Sequence, residues 1–234
     1  MKTGLLVAAV VAALPAGYWT REKAAPLLER TLTLRLAPDT SRLGPGEKAA
    51  LARLLEVGAV MQELYEESRH HQALAARERL DALASSGAAG ARELQTLYRL
   101  FQGPVATTLE NKRETFLPVD AVVPGKNVYP WGVTREEVDA WLARNAGARA
   151  ELMAARTVVR RDTADNRRAD LALLAKHPAL DTLHPGLRAR LQAPPAAGGF
   201  YAVPYALAYA DRLLRAHRLL SEAADAVAAE DAEI

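Results

Sequence analysis

Residues 47–65 read EKAALARLLEVGAVMQELY. Leu51, Leu54, Leu55, Met61, Leu64 and Tyr65 recur there at helical spacing, so the stretch predicts an amphipathic helix. Gly44-Pro45-Gly46 stands before it, with Pro45 suited to a first helical position and Glu47 to a first turn. Leu80 and Leu83 extend the stripe, and the pattern predicts one helix over 47–84, broken by Ser85-Ser86-Gly87. A second helix over 88–102 is expected to bury Leu94, Leu97, Tyr98 and Phe101 before Gly103-Pro104 ends it. Residues 103–133 carry Phe116, Leu117, Val122, Val123, Val128, Tyr129 and Trp131 among glycines and prolines, which reads as an ordered loop.

Thr134-Arg-Glu-Glu137 is a capping box for a helix running to about Arg144 that buries Val138, Trp141 and Leu142. Thr157-Val-Val-Arg-Arg161 is short and β-branched, and predicts a strand. Helices over 165–176 and 180–192 follow, then a second strand candidate at 199–203. The helical block between the two strands can serve as a crossover. A long helix opens at Pro204 and runs to about 229. Its expected buried face is Leu207, Ala210, Leu213, Leu214, His217, Leu220, Ala224 and Val227. The last residues, Ala-Glu-Asp-Ala-Glu-Ile234, lack a glycine cap or a basic turn, so the helix frays near Val227 or the chain stops before its natural end. The fold class is mainly α, multi-helical, with one or two short strands.

The chain has 234 residues, enough for a real core. Half are hydrophobic and a quarter charged, which excludes a disordered or polytopic membrane chain. Thirty Lys+Arg against 28 Asp+Glu is too balanced for a nucleic-acid surface. With no cysteine, disulfides, thiolate zinc sites and a cysteine nucleophile are excluded. Residues 1–19 begin with Lys2 and an apolar run from Gly4 to Trp19. They read as a signal peptide, cut after Ala13 or Ala16, or as an uncleaved anchor with Trp19 and Arg21 as its interface flank. A buried N-terminal helix is the third reading. Residues 20–46 form a linker-like lead, and 47–234 form the helical body.

Chemistry is sparse. Glu66 and His70, and Glu67 and His71, are spaced i,i+4. Either pair could share a metal with a third ligand, and the plainer reading is a solvated helix face. His177 and His184 precede prolines as turn residues, and His217 lies near the last helix's apolar stripe. Arg160, Arg161, Arg167 and Arg168 form an anionic-ligand patch or a solvated strand edge. Tyr129, Trp131, Tyr201, Tyr205 and Tyr209 line a peptide cleft or pack in the core. No catalytic, cofactor-binding or metal residue is assigned.

Leu97-Tyr-Arg-Leu-Phe-Gln-Gly-Pro104, Phe116-Leu-Pro118, Asn127-Val-Tyr-Pro130, Thr134-Arg-Glu-Glu137 with Trp141, Thr157-Val-Val-Arg-Arg161 and Tyr201-Ala-Val-Pro-Tyr205 follow in order. So do Tyr209, Leu213, Ala216, Leu219, Leu220 and the alanine pair at 223–224. This ordered set, from about residue 36 to the end, resembles an N-terminal part of the dipeptidyl peptidase III family of zinc metallopeptidases. The resemblance implies a partial two-lobed metallopeptidase architecture with a peptide cleft between the lobes. It also implies a zinc ion bound in a C-terminal part by His-Glu-x-x-Gly-His and a downstream Glu. No residue here matches those ligands, and Glu230-Asp-Ala-Glu233 has no histidine motif before it. Three readings follow. The chain is the non-catalytic N-terminal portion of an exported, periplasmic zinc peptidase with a peptide substrate. Alternatively it is a stand-alone periplasmic α-helical binding or scaffold domain, or a protein anchored to the membrane that docks a partner.

Overall fold

The computed structural model describes residues 13–121 and 129–231. Residues 1–12, 122–128 and 232–234, which include most of the N-terminal apolar run, Asn127 and Val128, lie outside the described residues. The fold is mainly α, with two short antiparallel strand pairs. Among the described residues no helix is long and apolar enough to cross a membrane. The chain divides into two units, the first of residues 1–37 and 65–122, the second of 38–64 and 123–234.

The first unit opens inside the lead region. α1 (Arg21–Leu28) is capped by Thr20, whose hydroxyl accepts from the Lys23 amide. Trp19 is buried against Phe116 at 6.1 Å between rings, and its amide donates to the Phe116 carbonyl. It packs as a core residue of this unit. The helix expected over 47–84 is two helices, α2 (Pro45–Arg69, whose last turn belongs to this unit) and α3 (Ala73–Ser85). The break has a local cause. The Gln72 amide donates to His70 Nδ1 and not to a carbonyl one turn back, and the Ala73 amide donates to the His70 carbonyl. α4 (Ala91–Phe101) buries Leu94, Leu97 and Tyr98 as expected. The expected loop then begins with a hairpin, β1 (Val105–Thr107) against β2 (Arg113–Thr115), turned at Asn111 with φ 59°. Leu80, Leu94, Leu97, Phe116 and Leu117 form this unit's core.

In the second unit the two expected strands pair antiparallel and not through a parallel crossover. β3 (Thr157–Arg161) faces β4 (Phe200–Pro204) in the register Val158↔Val203 and Arg160↔Tyr201. This ribbon is covered on both faces. Val159, Phe200 and Ala202 meet Trp141 and Leu142 of α5 (Arg135–Arg144) and Leu152 of α6 (Arg149–Leu152). Val158, Tyr201 and Val203 meet Leu174 of α7 (Ala164–Lys176) and Leu187 and Leu191 of α9 (Leu187–Gln192). Burial on both sides explains why β4 and the Val158-Val159 pair read as apolar without alternation.

The helix expected over 180–192 is split into α8 (Ala179–Leu183) and α9. Pro185 disfavours helical geometry at His184, and Gly186 sits at φ 82°. The long last helix is likewise interrupted at Tyr209, between α10 (Tyr205–Ala208) and α11 (Ala210–Asp231), although backbone bonds continue across the joint. α11 is helical beyond Val227. Its buried stripe is Ala216, Leu219 and Ala223, while Leu214, His217, Leu220 and Ala224 are exposed. The expected face holds at Leu207 and Ala210, which are buried, and from Leu214 onward it is turned by about one residue, or 100°. α2 shows the same shift, burying Ala50 and Val60 and exposing Leu51, Leu54, Leu55 and Met61. Each helix has two apolar stripes, and the one with smaller residues makes the contact because it allows closer backbone approach.

Candidate functional site

Each unit carries one polar constellation. In the first, α2 ends by burying Glu66, which is 3% exposed. Its Oε2 accepts from Arg77 of α3 at 2.8 Å and lies 3.0 Å from the Tyr98 hydroxyl of α4. Burial and the neighbouring Glu66 carboxylate hold the Tyr98 proton on and push its pKa upward. One turn further, His70 is also buried. Its Nδ1 accepts from Gln72, so Nε2 carries the proton and donates to the Asp120 carbonyl at 3.1 Å. Burial lowers the His70 pKa. His71 Nε2 pairs with the Asp120 carboxylate at 2.8 Å.

The two i,i+4 pairs are thus not one solvated face. The Glu66 carboxylate is occupied by Arg77 and Tyr98, and both ring nitrogens of His70 are bonded. Among the described residues no group of three or more His, Cys, Asp or Glu converges where a metal could bind. The donors present do not fit the zinc site that the resemblance implies, and no chemistry is assigned to them through a metal.

In the second unit, each arginine named from the sequence has a carboxylate partner. Arg160 lies 3.7 Å from Asp170, and Arg161 donates to Glu137 at 2.6 Å. Arg167 grips Asp162 through two nitrogens, and Arg168 meets Asp165 at 3.2 Å. Asp162 also accepts the Ala196 amide. Burial opposes its ionisation, but Arg167 and that amide bring its pKa below the usual carboxylate value. The Tyr201 hydroxyl donates to the buried Asp170 at 2.6 Å, and burial with this carboxylate raises its pKa. These contacts pin α5 and α7 to the ribbon and neutralise the arginines, so they do not form an open anion patch.

Two pockets lie in this unit, and the smaller borders the ribbon. One of about 640 Å³ has an apolar lining of Tyr129, Val133, Val138 and Met153, with Arg135 and Arg149 also lining it. The other, about 280 Å³, is bounded by Trp141, Leu152, Leu191, Phe200, Tyr201 and Arg167. The five aromatics named from the sequence do not line one cleft. Tyr129 borders the larger pocket and Tyr201 the smaller. Tyr205 and Tyr209 pack edge-on at 5.3 Å against the core beneath the ribbon. His177 pairs with Asp211 at 2.8 Å, joining the end of α7 to the start of α11. Apolar pockets with polar margins suit binding an apolar group.

No family model matches this sequence, and no curated protein matches it. Among solved structures, DPP III from Caldithrix abyssi is similar in fold, with a TM-score of 0.56 at 22% identity. The match covers 81% of this chain and 29% of that chain.

Proposed function

We propose that this chain is the non-catalytic, N-terminal portion of an exported zinc-dependent peptidase resembling dipeptidyl peptidase III, supplying scaffold and one wall of a peptide cleft. The observation that carries the reading is the fold likeness to DPP III from Caldithrix abyssi over 81% of the chain. The ordered motifs from about residue 36 onward agree with it. The pockets bounded by Tyr129 and Tyr201 are the part of the wall suited to substrate side chains. The zinc ligands and the general base belong to sequence beyond Ile234.

The deciding experiment reads the genomic frame past Ile234 and expresses what it encodes. An in-frame His-Glu-x-x-Gly-His, with release of dipeptides by the longer chain, supports the proposal. A stop codon directly after Ile234 overturns it and leaves the stand-alone domain. Export is part of the same reading, and the first unit bears on the cut. Leu14 packs on the core and lies against Gly90. Cleavage after Ala13 keeps that contact and cleavage after Ala16 loses it, so the former is expected. Intact-mass measurement of the periplasmic fraction distinguishes them, and a full-length mass in the membrane fraction favours the anchor.

A further inference from the structure

Within the second unit, α2 and α11 cross antiparallel. Arg53 meets Glu222 at 2.8 Å, and Val60 packs with Ala216 and Leu219. On α2 the buried arc is Ala50, Val57 and Val60, and Leu51, Leu54, Leu55, Gly58 and Met61 fall on an arc about 110° further round at 3.6 residues per turn. On α11 the buried arc is Ala216, Leu219 and Ala223. Leu214, His217, Leu220 and Ala224 lie about 120° further round in the same sense. Because the helices run in opposite directions, equal rotations in one sense bring both arcs to the same side of the pair. The result is one apolar face two helices wide.

This face has the composition of something covered. Leu55 is 69% exposed, Leu54 48% and Leu220 46%. From Ala49 to Met61 the only charged residues are Arg53 and Glu56, which bond one another at 2.6 Å beside Glu222. The bare arc of α2 therefore has no charge over that length, as in the core of an interface. Gly58 stands within it, and a Cβ there would meet nothing within 4 Å. A mid-helix glycine costs about 1 kcal/mol against alanine. No described residue approaches this position closely enough to require a glycine, whereas a partner backbone in close approach would.

We propose that this face is a homodimer interface, in which the α2–α11 pairs of two copies stack across a two-fold axis. Area selects this occupant. The exposed leucines and Met61 offer roughly 500 Å² of mostly apolar surface, the apolar share of the ~800 Å² per partner that a stable interface buries. The bare arcs run over about 15 Å of each helix, and a two-fold operation sets the same patch on itself. Sequence beyond Ile234, which the peptidase-like reading requires, is the other candidate cover for this face, so the dimer is sought in the longest chain that the frame encodes, and dipeptide release by that chain bears on the peptidase-like reading alone.

Sedimentation velocity on the full chain over a wide concentration range tests it. The expected result is a dimer that dissociates on dilution. Leu54→Glu combined with Leu220→Glu should give a monomer with an unchanged circular dichroism spectrum. Gly58→Leu, whose Cβ would meet nothing within 4 Å, should weaken dimerisation by at least about tenfold by blocking close approach. If the double glutamate variant does not fold, Gly58→Leu alone decides: a weakened dimer supports the proposal and an unchanged one overturns it. A chain monomeric at every concentration also overturns it. In that case, binding of a hydrophobic dye that the same substitutions abolish would assign the face to a different protein surface.

Discussion

The Tyr98 hydroxyl lies 3.0 Å from the Glu66 carboxylate and 3.0 Å from the Ala73 carbonyl, so its single proton faces two buried acceptors. Glu66 joins the end of α2 to α3 through Arg77 and to α4 through Tyr98. Tyr98→Phe removes one hydrogen bond at a site where Arg77 still satisfies Glu66, and should cost about 1 kcal/mol. Glu66→Ala removes the carboxylate that accepts from Arg77 and leaves a cavity. Arg77 is about one-third exposed and can turn to water, so a loss of about 2–3 kcal/mol is expected, below that of a fully enclosed pair. Urea denaturation of both single variants and the double variant checks this. A coupling energy near zero would show that Tyr98 bonds Ala73 alone.

His70 should make stability depend on pH. Its folded pKa is lowered by burial, with the carbonyl bond to Asp120 opposing and His71 adding to the effect. The unfolded chain therefore takes up the proton first. The contribution is complete above the unfolded value of about 6.5 and is lost as pH falls through it toward the lower folded value. Protonating Nδ1 also removes the acceptor for the Gln72 amide. Thermal unfolding at pH 7.5 and 5.5 should show a loss in acid that shrinks in His70→Gln.

Asp162 and Arg167 fix the end of β3 to the start of α7, with side chains only 3% and 12% exposed. Asp162→Ala leaves Arg167 buried without its partner and the Ala196 amide without an acceptor. A loss of about 3–5 kcal/mol is expected. Arg161 and Glu137 are both more than one-third exposed, so Glu137→Gln should cost less than about 1 kcal/mol. Guanidinium denaturation of the two variants should separate them clearly, and equal losses would contradict this ranking.

The sequence disclosed local chemistry better than long-range packing. Thr134 caps α5 as its motif predicts, accepting the Glu137 amide at 3.1 Å. The Glu137 carboxylate reaches back to the Thr134 backbone, as the box expects, and it also accepts from Arg161, 24 residues away, a contact that the motif does not report. Both strands at β3 and β4 were legible from their composition, and their antiparallel pairing was not. The hairpin at Val105–Thr115 has strands of only three residues, too short for any alternation to register. The buried Glu66 and His70 carried the spacing of a surface pair. Only the approach of Tyr98 and Asp120, from 32 and 50 residues on, makes them interior. Nothing in spacing alone reports such a contact.

Leu219 and Leu220 are neighbours on α11 with opposite fates, and they give the sharpest stability contrast. Leu219 is 7% exposed against Val57 and Val60, whereas Leu220 stands on the bare arc. In the monomer, Leu219→Ala should cost about 2–4 kcal/mol by cavity formation, and Leu220→Ala less than about 1 kcal/mol. Under conditions where the chain is dimeric, the Leu220→Ala loss should grow, because the side chain then leaves water on association and its removal is felt in the linked equilibrium. Denaturation midpoints measured at low and high protein concentration test both parts. A concentration-dependent shift for Leu220→Ala, with none for Leu219→Ala beyond its intrinsic cost, is the expected outcome. Equal costs for the two leucines in the monomer would mean that α11 is rotated by a residue from the orientation described, and that the stripe with larger residues is the one it buries.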